Sequence, residues 1–174
     1  KYRPKSLEQV IGQETIIKVI QSYIDRYKVT GEPPPHMLFT GRPGTGKTTV
    51  AKVIGRACFG DGRGLYMDKN TSDERGIDVI RGPVKEYAKS KPLDGFNYIF
   101  LDESDNLTKD AQAALRRVME DYAKWTRFVF SCNYVSKVIE PIRSRCAIFR
   151  FGDVSKYSIE SHIDSIVGKE GINC

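Results

Sequence analysis

Five short apolar runs recur along the chain: "HMLFT" (36–40), "LYMDK" (65–69), "NYIFLD" (97–102), "RFVFSC" (127–132) and "AIFRF" (147–151). Their apolarity is continuous and does not alternate. That pattern suits strands covered on both faces, the usual condition of a parallel sheet. Stretches of helical period lie between them. In "QETIIKVIQSYIDRY" (13–27), Ile16, Val19, Ile20, Tyr23, Ile24 and Tyr27 recur at helical spacing. Further helical patterns cover 47–59, 77–90 and 108–124, the last with Thr108 placed to cap its N-terminus. Strands alternating with helices predict an α/β fold.

The chain has 174 residues, 40% of them apolar and 29% charged, enough for one domain with a sizeable core. No run approaches the ~18 apolar residues of a membrane-spanning helix. The formal charge of +6 is compatible with a polyanionic partner, and a solvated lysine-rich surface would give the same balance. Cys58, Cys132, Cys146 and Cys174 form no C-x-x-C pair, which points to buried thiols rather than to a zinc or disulfide framework. His36 and His162 stand apart from any ligand-like spacing and read as structural. From about Gly152 the character changes to the amphipathic "VSKYSIESHIDSIVGKEGI". A chain that opens on Lys1 and closes on "GKEGINC" is expected to be a piece of a longer one.

The segment "GRPGTGKT" (41–48) follows the first apolar run and opens the helical pattern at 47–59. It matches G-x-x-x-x-G-K-[ST]. Glycines at 41, 44 and 46 allow successive backbone N–H groups to point inward, toward an anion held at the positive end of the following helix. Lys47 supplies a point charge for the terminal phosphates, and the Thr48 hydroxyl is suited to Mg²⁺. Arg42, Pro43, Thr45 and Thr49 complete the loop's lining. In "YIFLDESD" (98–105) an apolar strand ends on two acids. Asp102 is placed to hold a Mg²⁺ water shell, and Glu103 to polarise an attacking water. Asn133 ends the fourth apolar run, where it could position water or touch the γ-phosphate. Strand termini also favour asparagine for plain local reasons.

Taken together, the phosphate loop, "LDE", the asparagine-ended strand and "PIRSRC" (141–146) resemble the AAA+ ATPases. Within them, "KYRPKSLEQVIGQ" (1–13), "SDERGIDVIR" (72–81), "DAQAALRRVME" (110–120), "SCNY" and "SRC" look like the small subunits of replication factor C, the sliding-clamp loader. The resemblance implies a P-loop AAA+ three-layer fold with a five-stranded parallel sheet. It divides the chain into an ATPase domain (1–154) and the start of a helical lid (155–174), with the collar domain absent. It implies ATP hydrolysis with ATP and Mg²⁺, and an assembly with other replication factor C subunits in a hetero-pentamer. Its partners would be the sliding clamp (PCNA) and primer–template DNA gripped by its backbone, with no membrane. The setting would be cytoplasmic in an archaeon and nuclear in a eukaryote.

The resemblance also assigns roles. Tyr2, Arg3, Pro4, Val10 and Ile11 would pack on adenine. Lys47, Thr48, Asp102 and Glu103 keep the roles given above, and Asn133 becomes the γ-phosphate sensor. Arg145 of "SRC" would be an arginine finger reaching a neighbouring subunit's site. Arg75, Arg81, Lys85 and Arg116 would face DNA; Lys89 shares their face only if the helix is continuous, and a solvated basic face would look the same. Asn70, Gln112 and Arg116 would couple DNA contact to Glu103. Met119, Tyr122 and Trp125 are either clamp contacts or ordinary core.

Three positions depart from the family pattern. Arg42 replaces a proline of G-P-P-G, "DESD" replaces D-E-A-D, and Gly82–Pro83 interrupt the helix over 77–90, which should either kink there or restart with Pro83 in its first turn, leaving open whether Arg81 and Lys85 share a face. Two rivals share the phosphate loop: an AAA+ branch-migration or remodelling motor, and a nucleotide-gated interaction module without significant hydrolysis.

Overall fold

The computed structural model describes residues 3–59, 66–71 and 75–170. The chain is α/β: strands β1 (His36–Thr40), β2 (Tyr66–Asn70), β3 (Asn97–Asp102), β4 (Thr126–Cys132) and β5 (Cys146–Arg150) form one sheet. Its order is β2-β3-β4-β1-β5, and every neighbouring pair is parallel. Each strand lies within one residue of its predicted run.

Alternate residues of the three inner strands β1, β3 and β4 feed two cores, which is why their runs are apolar on both faces, whereas the edge strands β2 and β5 carry exposed residues. Met37, Phe39, Tyr98, Phe100 and Val129 pack on one face beneath α1 (Glu14–Thr30) and α2 (Lys47–Phe59). Leu38, Ile99, Leu101, Phe128 and Phe130 pack on the other. There they meet α3 (Ile77–Val79), α4 (Lys85–Lys89), α5 (Lys109–Asp121) and α6 (Glu140–Arg143). Gly31, in the left-handed conformation, closes α1 by donating to the Tyr27 carbonyl at 2.8 Å. Thr108 caps α5 as its position predicts, accepting from the Ala111 N–H at 3.2 Å.

The helix predicted over 77–90 is broken. Between α3 and α4 the chain makes a π turn over Ile80–Val84, and Gly82 leaves helical space with ψ −109°. Pro83 has no N–H to donate, and Gly82 absorbs the resulting kink. The last helix, α7 (Lys156–Glu170), follows β5 through a short linker. Among the described residues, no helix is long and apolar enough to cross a membrane.

Of the thiols read as buried, Cys132 is buried, and Cys58 and Cys146 are half-buried against the two cores. Burial pushes Cys58 and Cys146 up to about 12 and Cys132 to about 11, which leaves them protonated and unreactive. Cys174 lies outside the described residues, as does the side chain of His162. His36 is structural: its Nδ1 accepts from the Phe128 N–H at 3.0 Å. Burial, then the nearby Arg127 and Arg145, lowers it to about 4.

Candidate active site

The register puts the ends of β1, β3 and β4 side by side. Thr40 stands opposite Cys132, Leu101 opposite Phe130, and Asn70 opposite Asp102. The loop after β1, the acids at the end of β3 and Asn133 after β4 are thereby brought to one edge of the sheet, where open α/β sheets bind ligands.

The loop is built for close approach. A Cβ at Gly41 would lie 2.4 Å from the Phe151 carbonyl oxygen, so only glycine fits beside the strand. Gly46 has φ +97°, in the region that favours glycine. The Lys47 ammonium sits inside the turn, donating to the carbonyls of Gly41 (2.7 Å) and Arg42 (2.8 Å) and to Asn133 Oδ1 (3.1 Å). Burial lowers its pKa, while Cys132, Asp102, Asp105 and Glu103 pull the other way. The Thr48 hydroxyl donates to Asp102 Oδ2 at 2.9 Å. Loop and acid motif therefore meet directly.

Glu103 is the one non-glycine residue with positive φ among those described, at +55°. Such a conformation costs about 1–3 kcal/mol and persists only where the surroundings enforce it. They do so here. Its N–H donates to Ser131 Oγ at 3.1 Å and to Asp102 Oδ1 at 3.2 Å, and its carbonyl accepts from Thr71 Oγ1 at 2.8 Å. Ser131 Oγ also donates to Asp102 Oδ1. The Glu103 carboxylate accepts from Asn106 Nδ2 at 3.2 Å. Asn70 lies beside Asp102 in register. Ser131, Thr71 and Asn106 were not singled out by sequence; Ser131 opens the quoted "SCNY", but nothing local marks it as a brace for a different strand.

A cavity of about 430 Å³ opens beside the loop. Pro4, Val10 and Ile11 from the N-terminal segment meet Pro43, Gly44, Thr45, Gly46 and Thr49 there, with Val154 and Ile159 closing the far side. Its apolar walls suit a planar base. Arg3 is exposed and outside this lining, and Tyr2 lies outside the described residues. Gln13, buried, ties the region together by donating to the carbonyls of Thr45 (3.3 Å) and Gly152 (2.8 Å). Arg42 pairs with Asp153 at 3.2 Å, both exposed, on the linker into α7.

Arg145 is elsewhere. It precedes Cys146, which pairs with His36 at the start of β1, whereas the phosphate loop leaves the other end of β1. At ~3.3 Å per residue the strand separates them by about 15 Å. Arg145 is partly exposed, ion-paired to Glu120 of α5, and donates to the Pro141 carbonyl at 2.6 Å.

On the face of α5 a groove of about 780 Å³ carries Arg81, Lys85, Arg116 and Arg117, with Asp110 and Asp121. Arg81 and Lys85, on either side of the kink, both line this groove, and Lys89 does not. Arg75 is exposed before α3. Gln112 is buried, its Nε2 donating to the Leu107 and Lys137 carbonyls at 3.1 Å each and its Oε1 accepting from the Ile139 N–H at 2.8 Å. It ties α5 to the segment leading into Arg145. Met119 is core, and Trp125 Nε1 donates to the Ala88 carbonyl at 3.0 Å beside Tyr122.

Residues 37–153 match the model of the ATPase family associated with various cellular activities (AAA). The chain belongs to the AAA ATPase family. It is 50% identical over 175 aligned residues, 99% of its length, to the replication factor C small subunit of Archaeoglobus fulgidus. It is 49% identical to that of Methanoculleus marisnigri and 47% to that of Halobacterium salinarum. The chain spans about half the length of these relatives, 52–53%. Its fold is that of Thermotoga maritima RuvB, a Holliday junction branch migration motor, with TM-score 0.82 and 23% identity over 99% of this chain and 56% of that one.

Proposed function

We propose that this chain is the ATPase domain of a clamp-loader small subunit, using ATP to load a ring-shaped sliding clamp onto primer–template DNA. The observation that carries it is the pre-assembled contact of Lys47, Thr48, Asp102 and Asn133 in a chain half identical, from end to end, to replication factor C small subunits. The domain would be residues 1–154, with 155–174 beginning a lid.

The residues fit ATP and Mg²⁺. Lys47 already donates to three oxygens, the geometry with which an ammonium meets phosphate oxygens. Thr48 and Asp102 present hydroxyl and carboxylate oxygens together, a donor pair that suits a small hard cation sharing phosphate ligands. When bound, Mg²⁺ supplies charge neutralisation across the terminal phosphates. The apolar cavity takes adenine through Pro4, Val10 and Ile11. Glu103, fixed by its braced backbone, orients and polarises the attacking water. Asn133 contacts the γ-phosphate.

Arg145, on the opposite edge from its own loop, is placed to serve a neighbour. A guanidinium delivered in trans stabilises charge on the transferring phosphoryl group. The groove with Arg81, Lys85, Arg116 and Arg117 meets DNA phosphates as charge, without base readout. Gln112 then relays contact along α5. The branch-migration rival shares the fold, but its likeness is 23% against 50% for the clamp-loader relatives.

The test is clamp loading by the full-length chain assembled with its partner subunits, on primed DNA. Lys47→Ala is expected to abolish ATP-dependent loading and to weaken nucleotide binding. Loading that survives the substitution, or ATP-driven strand separation in place of loading, overturns the proposal.

A further inference from the structure

The fourth residue of the acid motif has a job that the roles above leave unassigned. Asp105 Oδ2 accepts two backbone N–H groups, from Asn133 at 3.2 Å and from Tyr134 at 3.1 Å. These are the first two residues beyond β4, so one carboxylate oxygen caps the turn that presents the Asn133 side chain. Asp105 lies in the single turn Ser104–Asn106 that follows Glu103. Ser131, two residues before Asn133, reaches back to Asp102 and Glu103. The ends of β3 and β4 are therefore cross-braced in both directions.

The second oxygen of Asp105 makes the arrangement unusual. Oδ1 is buried and has no hydrogen-bond partner among the described residues. A buried carboxylate oxygen left unpaired is costly, and the cap made by the other oxygen has to offset that cost. What a carboxylate adds is charge. The Asp105 carboxylate attracts the Lys47 ammonium, itself hydrogen-bonded to Asn133 Oδ1. Sensor, lysine and carboxylate thus form one unit.

Resting on the assignment of Asn133 as γ-phosphate sensor, we infer that Asp105 is the positioning residue for that sensor, fixing Asn133 against Lys47 by capping the turn after β4. It touches no reacting atom. Its effect passes through the two N–H groups and the amide they orient. Since a misplacement of ~1 Å near the chemistry can cost about 100-fold in rate, losing the cap acts on turnover, while binding of a nucleotide without a γ-phosphate stays as it was.

The experiment uses the full-length chain assembled with its partner subunits, and compares Asp105→Ala, Asp105→Asn, Asn133→Ala and the Asp105→Ala/Asn133→Ala double variant. Steady-state ATP turnover is read beside ADP affinity. Asp105→Ala is expected to lower kcat by about 10- to 100-fold with ADP affinity unchanged. Asp105→Asn, which keeps an oxygen for both N–H groups but loses the charge facing Lys47, should recover the part of that loss that the cap carries. The double variant should be no slower than Asn133→Ala alone, because the two residues act through one group.

Additive losses, an equal fall in ADP affinity, or no recovery in Asp105→Asn would overturn the inference. If Asn133→Ala turns over normally, the sensor assignment fails and the brace fails with it. If Asn133→Ala is slow and Asp105→Ala is not, only the brace fails.

Discussion

The two edges of the sheet are built differently. At the edge where β1, β3 and β4 end, each candidate group is held by several others. Lys47 has three acceptors, Asp102 receives Thr48 and Ser131, and Glu103 is locked in a strained conformation by both neighbouring strands. At the other edge Arg145 is partly exposed and held by Glu120 and the Pro141 carbonyl, on its own helical layer. An arrangement fixed from several sides suits a group that must meet substrate in one geometry. A cation on a light tether suits one that must leave its own surface for another molecule's. On the proposed function, one edge would receive the nucleotide and the other would complete a neighbour's site.

The widest gap between the edges should appear as a dependence on neighbours. In the assembled full-length complex, Arg145→Ala is expected to lower turnover by about 10³-fold or more while leaving nucleotide affinity in its own loop unchanged. Glu103→Gln should cost about 10²–10⁴-fold. The sharper measurement mixes the two. Wild-type chains poisoned with Arg145→Ala chains should lose activity in sites that border the variant, whereas Glu103→Gln chains silence only their own sites. If both variants silence only their own sites, the division between the edges is wrong.

A smaller effect tests the packing that carries the Arg145 edge. His36 lies at the start of β1, level with Cys146, with its Nδ1 accepting from Phe128 N–H. Burial first, and then Arg127 and Arg145, lowers it to about 4 from an ordinary value of 6.5. The folded chain therefore resists protonating His36, whereas the unfolded chain protonates it below pH 6.5. Stability is unaffected by this group above that pH and falls as pH drops toward 4. Between pH 6.5 and 5, above most carboxylate titration, the loss should reach about 2 kcal/mol. Chemical denaturation across that range should show the slope in the wild type and a flatter line in His36→Gln. An equal slope in the variant would mean that His36 is not the group responsible.

Much of this was legible in the sequence, and the residues explain why. The central strands β1 and β3 declare themselves most clearly because both faces are buried: Met37 and Phe39 serve one core while Leu38 serves the other, so no polar residue interrupts the middle of the run. Lys47, Thr48 and Asp102 follow from a spacing that only one loop geometry satisfies. The break at Gly82–Pro83 could be read from proline's missing donor. The bracing could not. Ser131 meets Asp102 across 29 residues and Gln13 meets Gly152 across 139. Those partners depend on the order β2-β3-β4-β1-β5, which no local pattern contains. Asn106 and Asp105 stayed hidden because a single 3₁₀ turn has too few residues to show a period.

The smallest effect concerns the strut between the edges. Helix α5 starts beside the acid motif, and carries Gln112 and the Glu120 that holds Arg145. Thr108 caps it, with its side chain accepting from Ala111 N–H. Thr108→Ala removes that acceptor and should cost about 1 kcal/mol of stability. Because the lost hydroxyl caps only the Ala111 N–H, while the Thr108 carbonyl keeps the Gln112 N–H at 2.9 Å, the edges should keep their relation, and turnover in the assembled complex should hold within about twofold at a temperature where the fold is intact. Thermal denaturation and steady-state turnover measured on the same variant separate the two outcomes. A drop in turnover well beyond the stability loss would mean that the start of α5 does more than anchor the helix. The edges would then be mechanically joined through the first turn, and the contrast between a fixed half-site and a loosely tethered one would have to give way to a single coupled element.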